Sequence, residues 1–333
     1  MVEGPRRRFL THLVTLSASG LAWRAHRAYA QPPTKQFHIG LVLLARSPDD
    51  PEWQAFNSGL REAGYSVGRD LFVDARFAKG DYSHLPQLVA DLVGRKVDVL
   101  VVDSTVATQV AQRATSTIPI VMTSIADPVG SGIVPSLAHP GGNVTGLSIM
   151  APDLSAKRLQ LLKETIPQLH KVGVLWNENA AFQKPVIEEM KVAASTLSIE
   201  PTFIGVRTVE DLAPAFESLG RAHTQALYVM EDSFLFIHRS TLVKLAAKAR
   251  LPAIYPQRQV VDEGGLLSFG PNYPDLFRRV AGYVDKILKG AKAGELPIEQ
   301  PTSFDLGVNL RTAKALGIAI PQSILVRADE VVK

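Results

Sequence analysis

Four short polar segments, each following an apolar, β-branched run, hold the residues of this sequence best suited to chemistry: Ala45-Arg46-Ser47, Asp103-Ser104-Thr105, Thr123–Asp127 and Glu231-Asp232-Ser233. Ser104 and Thr105 open a helical pattern, where hydroxyls and backbone N–H groups meet the positive end of a helix dipole and suit an anion. Capping of that helix explains Ser104 equally well. Asp127 and Asp232 offer acceptors for an ammonium or a hydroxyl group; a turn at the following proline competes for Asp127, and helix capping for Asp232. Arg46, beside Ser47, is able to grip a carboxylate with two parallel hydrogen bonds or to stand solvated on a rim. Trp53, Trp176, Phe182, Phe234 and Tyr255 fall near strand ends or helix starts, where they either sandwich a planar group or fill a core. Of these, Trp176 and Tyr255 join the candidate site. Donors, acceptors and aromatic faces together suit the holding of a small zwitterion.

Catalytic signatures do not accompany them. There is no GxxxxGK[ST] phosphate loop, no GxGxxG after the first strand, no GxSxG elbow and no HExxH zinc motif. The eight histidines are scattered without metal-ligand spacing. The absence of cysteine removes thiolate catalysis, iron–sulfur clusters, cysteine zinc sites, disulfides and a lipid-modified cysteine anchor. No enzyme activity, cofactor or metal is expected. Asn143-Val144-Thr145 matches a glycosylation acceptor, but a turn explains it more simply.

The elements that must position these residues are written twice. Strands are predicted at Phe37–Leu44, Leu71–Phe77, Val97–Val102 and Ile118–Met122, with helices at Pro51–Ala63, Leu85–Arg95 and Val106–Ala114 between them. A second set follows, with strands at Val172–Trp176, Pro201–Val206, Ala226–Met230 and Ala253–Tyr255 and helices at Leu154–Thr165, Phe182–Thr196, Val209–Leu219 and Ile237–Ala249. Ile39 and Val172 occupy matching places in the two sets, as do Pro119 and Pro252, and both pairs stand 133 residues apart. Apolar strands alternating with amphipathic helices predict an α/β protein of two doubly wound, parallel-sheet lobes. Such lobes face each other across a cleft, with ligands beyond the carboxyl ends of the strands. Turn-rich HPGGNVTG (His139–Gly146) reads as the first connection between lobes, and Gly264–Pro274 as another glycine and proline cluster. The tail, a helix at Leu276–Leu288, a strand at Thr302–Asn309 and a short helix at Arg311–Leu316, is expected to return to the first lobe and then the second, making a hinge of several crossings. The lobes would comprise residues 31–143 plus about 257–295, and 144–256 plus about 296–333.

A pI of 9.2 invites a nucleic-acid reading, but the excess charge is badly placed for one. Without the five arginines and one glutamate of residues 1–30, the remainder carries 31 basic and 31 acidic residues. No phosphate-tracking surface is required, and no nucleic-acid partner is expected. Residues 1–30 themselves read as an export signal: the twin-arginine-like Arg6-Arg7-Arg8-Phe9-Leu10, an apolar stretch Thr11–Trp23, and a small-residue cleavage site at Ala28-Tyr29-Ala30. A periplasmic location, with cleavage near Ala30, follows as the expectation.

Six blocks in fixed order carry a resemblance: RATSTIPIVM (Arg113–Met122), ADPVGSGIVPSLAHPGGNVTGLS (Ala126–Ser148), KRLQLLKE (Lys157–Glu164), LPAIY (Leu251–Tyr255), Gly264–Lys292 and Leu296–Leu325. From about Phe37 onward the chain resembles the exported substrate-binding proteins of ABC transporters, in the subgroup described as tryptophan or tyrosine binding. The resemblance implies the type I periplasmic binding fold. It also implies an amino acid-like ligand closed upon by the two lobes, and ABC permease and ATPase subunits as partners of a monomer. It places the segment of Asp127 at the ligand-facing edge. At Arg46 the chain departs from the small or polar residue more usual in the family. Two other classes compete: a sensory module that presents the same closed shape to a chemoreceptor or kinase, and an enzyme on paired Rossmann-like lobes.

Overall fold

The computed structural model describes Met1 and residues 35–44, 47–149, 151–180 and 182–333; the expected export signal and Arg46 lie outside the described residues. Five strands, β1 (Phe37–Leu43), β2 (Leu71–Phe77), β3 (Val99–Val102), β4 (Ile120–Ile125) and β5 (Val144–Ser148), form an all-parallel sheet in the order β2-β1-β3-β4-β5. Helices α1 (Pro51–Glu62), α2 (Leu85–Gly94) and α3 (Thr105–Ala114) fill the connections. Strand alternation sorts the apolar residues to two faces. Ile39, Leu41, Val99 and Val101 meet Phe56 and Leu60 of α1 on one face, while Val42, Leu100 and Val102 meet Leu92 of α2 and Ala107 and Ala111 of α3 on the other.

The second half opens with α4 (Ala151–Thr165), followed by β6 (Lys171–Asn177), α5 (Gln183–Thr196), β7 (Glu200–Val206), α6 (Leu212–Arg221), β8 (Ala226–Val229), α7 (Ser233–Ile237), α8 (Arg239–Lys248), β9 (Ala253–Tyr255), α9 (Gln259–Asp262) and β10 (Leu267–Pro271). The chain then returns to the first half as α10 (Tyr273–Leu288), and comes back once more as β11 (Phe304–Asn309) and β12 (Glu330–Val332). The resulting sheet has seven strands in the order β12-β11-β10-β9-β8-β6-β7, parallel except where β11 runs against β10. Helix α10 lies on α1 closely enough that a Cβ at Gly59 would stand 2.5 Å from the Arg278 carbonyl oxygen, so only glycine permits this approach. Residues of α10 share a core cluster with β1 and β3, and β11 pairs with β10.

Three strands escape the sequence reading: β5, β10 and the short terminal β12. HPGGNVTG runs into β5, whose Gly146 has φ +129 and would press any Cβ to 2.1 Å from the Met122 carbonyl oxygen. The glycine that reads as a turn signal there permits a strand to sit against the irregular end of β4. The glycine and proline cluster at 264–274 contains β10, which is central in its sheet; its proline stands at the strand's last position. The first sheet therefore continues past residue 144 to Ser148, and residues 267–271 pair in the second sheet rather than the first. The helix expected over Ile237–Ala249 is α8, which begins at Arg239, while Ile237 ends the separate short helix α7. Crossings between the halves fall after β5, at Asn272, and along residues 300–303. The last two are joined where the Asn272 N–H donates to the Ser303 carbonyl.

Candidate functional site

The carboxyl ends of β3, β4, β8 and β9 converge on one cleft with about 470 Å³ of empty space, counting the part open to solvent. From the first half it is lined by Asp103, Ser104, Thr105, Ser124, Ala126 and Ile149. Phe182, Glu231, Asp232, Ser233, Phe236 and Gln257 line it from the second, and Tyr273 at the crossing into α10.

The first-half wall is a helix start. Ser104 has extended backbone (φ −150, ψ 157) and its Oγ accepts from the Ala107 N–H at 3.1 Å, capping α3. A helix leaves its first N–H groups without intrahelical acceptors, and Ser104 satisfies only that of Ala107. Buried Thr105 stands at the first helical position. Asp103 braces the wall by accepting the Leu44 N–H at 2.8 Å, and Ser124 donates its hydroxyl to the Asp103 carbonyl at 3.0 Å. The wall presents donors and the positive end of a dipole.

The second-half wall presents carboxylates. Glu231 Oε2 is paired with Arg158 at 3.1 Å, and Glu231 Oε1 accepts from the Tyr273 hydroxyl at 2.7 Å and the Gln257 amide at 3.1 Å. Arg158, only 1% exposed, also donates to the Phe269 carbonyl at 2.6 Å and the Tyr228 hydroxyl at 3.4 Å. Asp232 differs: its partners are all neutral. Its Oδ1 accepts from the Leu235 N–H at 3.0 Å, capping α7, and from Asn177 at 3.1 Å, and its Oδ2 accepts from the Tyr82 hydroxyl at 2.8 Å. Burial pushes its carboxyl up from 3.8 to about 6, against the pull of these hydrogen bonds. Burial, then the nearby Asp232, hold the Tyr82 phenol well above its ordinary range, so Tyr82 is the donor.

Several contacts span the halves. Tyr82, in the turn before α2, reaches Asp232 and Asn177; Gln259 of α9 donates to Glu52 of α1 at 2.9 Å; Phe182, at the start of α5, packs against the core of the first half. Among the described residues no group of three His, Asp or Glu side chains is placed to hold a metal ion, and no helix is long and apolar enough to cross a membrane.

A two-sheet α/β molecule with an anion-suited helix start facing carboxylates has the form of a solute-binding protein. The chain belongs to the family described as ABC transporter substrate binding protein, whose profile matches residues 44–332. The "Tyrosine-binding protein" of Clostridioides difficile (strain R20291) is 30% identical over 284 residues, 85% of this chain and 81% of that one. A solved ABC domain from Streptococcus pneumonia in complex with L-Trp has 27% identity and a TM-score of 0.83, covering 90% of this chain and 100% of its own. The ligand-free, open structure of a Clostridium difficile substrate binding protein with adhesive properties has the same 27% identity, covers 89% and 99%, and has a TM-score of 0.65. Substrate-binding proteins of this family are extracytoplasmic, bind small molecules and work with ABC transporter components.

Of the candidate residues, the structure brings Ser104, Thr105 and Asp232 together at the cleft. The other described candidates stand apart. Ser47 hydrogen-bonds through its N–H to Asp50. Asp127 turns its carboxylate onto the Val129 and Gly130 N–H groups, at 3.1 and 2.9 Å, in the turn its proline suggested. Trp176 packs against the face of β6 shared by Val172 and Val174, and Tyr255 is buried in the core against α8. Tyr82, Arg158, Asn177, Gln257 and Tyr273 escape the sequence reading as site residues. The carboxyl-end rule points to Gln257, two residues past β9, and to Asn177 at the end of β6.

Proposed function

We propose that the protein is the periplasmic receptor of an ABC importer, holding an amino acid-like solute in the cleft and closing on it for delivery to the permease and ATPase subunits. The observation that carries this is the polarity of the cleft. A helix start that suits a carboxylate faces Asp232, a buried carboxylate whose protein partners carry no positive charge. A zwitterion completes both sides at once, and contacts made to both halves together are what favour the closed form. Phe182, Phe236 and Tyr273 supply aromatic walls for a side chain, in keeping with the tyrosine and tryptophan named for the relatives.

A thermal-shift screen of the purified protein against amino acids, aromatic acids, sugars and dicarboxylates tests the reading. Only ligands of the native state raise the melting temperature, by about 2.7 kcal/mol of stability at a hundredfold excess over Kd. A saturable rise is expected with aromatic amino acids. A rise with sugars or dicarboxylates and none with any amino acid would sink the proposal.

A further inference from the structure

The Gln257 side chain is 6% exposed and lines the cleft beside Asp232. Its Nε2 donates to Glu231 Oε1 at 3.1 Å. That contact fixes the amide's orientation, because a carboxylate held by Arg158 only accepts, and the opposite assignment would set two acceptors against each other. Its Oε1 therefore faces away from Glu231, and it is buried with no hydrogen-bond partner. The neighbouring acceptors are better supplied. Both oxygens of Glu231 are engaged by Arg158, Tyr273 and Gln257, and those of Asp232 by Leu235, Asn177 and Tyr82. A buried acceptor left unmet is destabilising, and a binding wall is where such an atom has a use.

We infer that Gln257 Oε1 is the specificity-determining acceptor for the ligand's ammonium group, and that the buried Arg158–Glu231–Tyr273 cluster positions it. An ammonium carries three donors. One meets Gln257 Oε1 and another meets the lone-pair capacity left on Asp232, so charge is matched at the carboxylate while the neutral amide fixes direction. Arg158 and Tyr273 hold Glu231, Glu231 holds the amide nitrogen, and the amide oxygen is left for the cargo. This rests on the amino acid reading of the cleft.

Titration calorimetry with paired probes tests it: L-tryptophan against 3-indolepropionic acid, and L-tyrosine against 3-(4-hydroxyphenyl)propionic acid, each acid lacking only the ammonium group. For Gln257→Met, the Kd of the amino acid that binds is expected to rise roughly tenfold or more, as for loss of a hydrogen bond to a charged group, while that of its deaminated partner moves less than about threefold. Circular dichroism of the ligand-free variant checks folding, and Gln257→Asn, which withdraws the amide by one methylene, gives the same selective loss if the methionine variant does not fold. Equal weakening of both members of a pair would show a merely structural role and overturn the inference, as would an unchanged Kd for the amino acid. If the unaltered protein binds none of the four probes, the aromatic amino acid reading on which the inference rests fails, and the inference with it.

Discussion

The two walls of the cleft are built by different means. In the first half the site is a helix start: Ser104 caps α3 three residues away, and the groups offered to a ligand are chiefly backbone N–H donors. In the second half it is a side-chain assembly drawn from distant parts of the chain, with Arg158 bound to Glu231 across 73 residues of sequence and Tyr82 to Asp232 across 150. A backbone site survives most substitutions of its own residues, because the peptide groups remain. An assembly of buried charges depends on each member, since removing one strands another.

That contrast is most severely tested at Arg158. In Arg158→Met, Glu231 is left partly buried without its cation, and a loss of about 3–5 kcal/mol in chemical denaturation is expected, with binding abolished or greatly weakened. A loss under about 1 kcal/mol would mean that the second wall is no more interdependent than the first.

A smaller effect is expected from Asp232→Asn, read through pH. The native carboxyl titrates near 6 rather than 3.8, so the native state holds the proton more tightly than the unfolded chain. The resulting stabilisation is complete below about pH 4 and is lost as pH rises through about 6. Unliganded wild type should therefore lose on the order of 2–3 kcal/mol across that window, and the asparagine variant should show a flatter profile there. Equal slopes in denaturation series from pH 4 to 7 would break the assignment.

The smallest effect belongs to the first wall. Ser104→Ala should lower stability by about 1 kcal/mol, the usual worth of an N-cap, while ligand affinity stays within a few-fold because the N–H groups persist. A tenfold loss of affinity would show the hydroxyl itself in the site and make the two walls alike.

The same contrast decides what was legible in the sequence. Ser104 and Thr105 could be placed because a strand end and a helix cap are local patterns, read from adjacent residues. The doubled α/β units were legible for the same reason. Asp232 was legible as the cap of α7, but its bond to Tyr82 was not, because nothing near either residue encodes the other. At the end of β6 a single step separates two roles: Trp176 falls on the core face with Val172 and Val174, and Asn177, one residue on, donates to Asp232. Asp127 was eligible by position, and its own turn engages one of its carboxylate oxygens, Oδ1.

The three crossings between the halves carry a consequence for damage. A protease that cuts the chain once, at any one of them, leaves the two halves still tied by the remaining two. The broken molecule would run as two fragments when denatured yet persist as one particle under native conditions, with its cleft walls still delivered to each other. Redundant tethering thus makes the gripping geometry tolerant of a nick that would part a two-domain protein joined by a single linker.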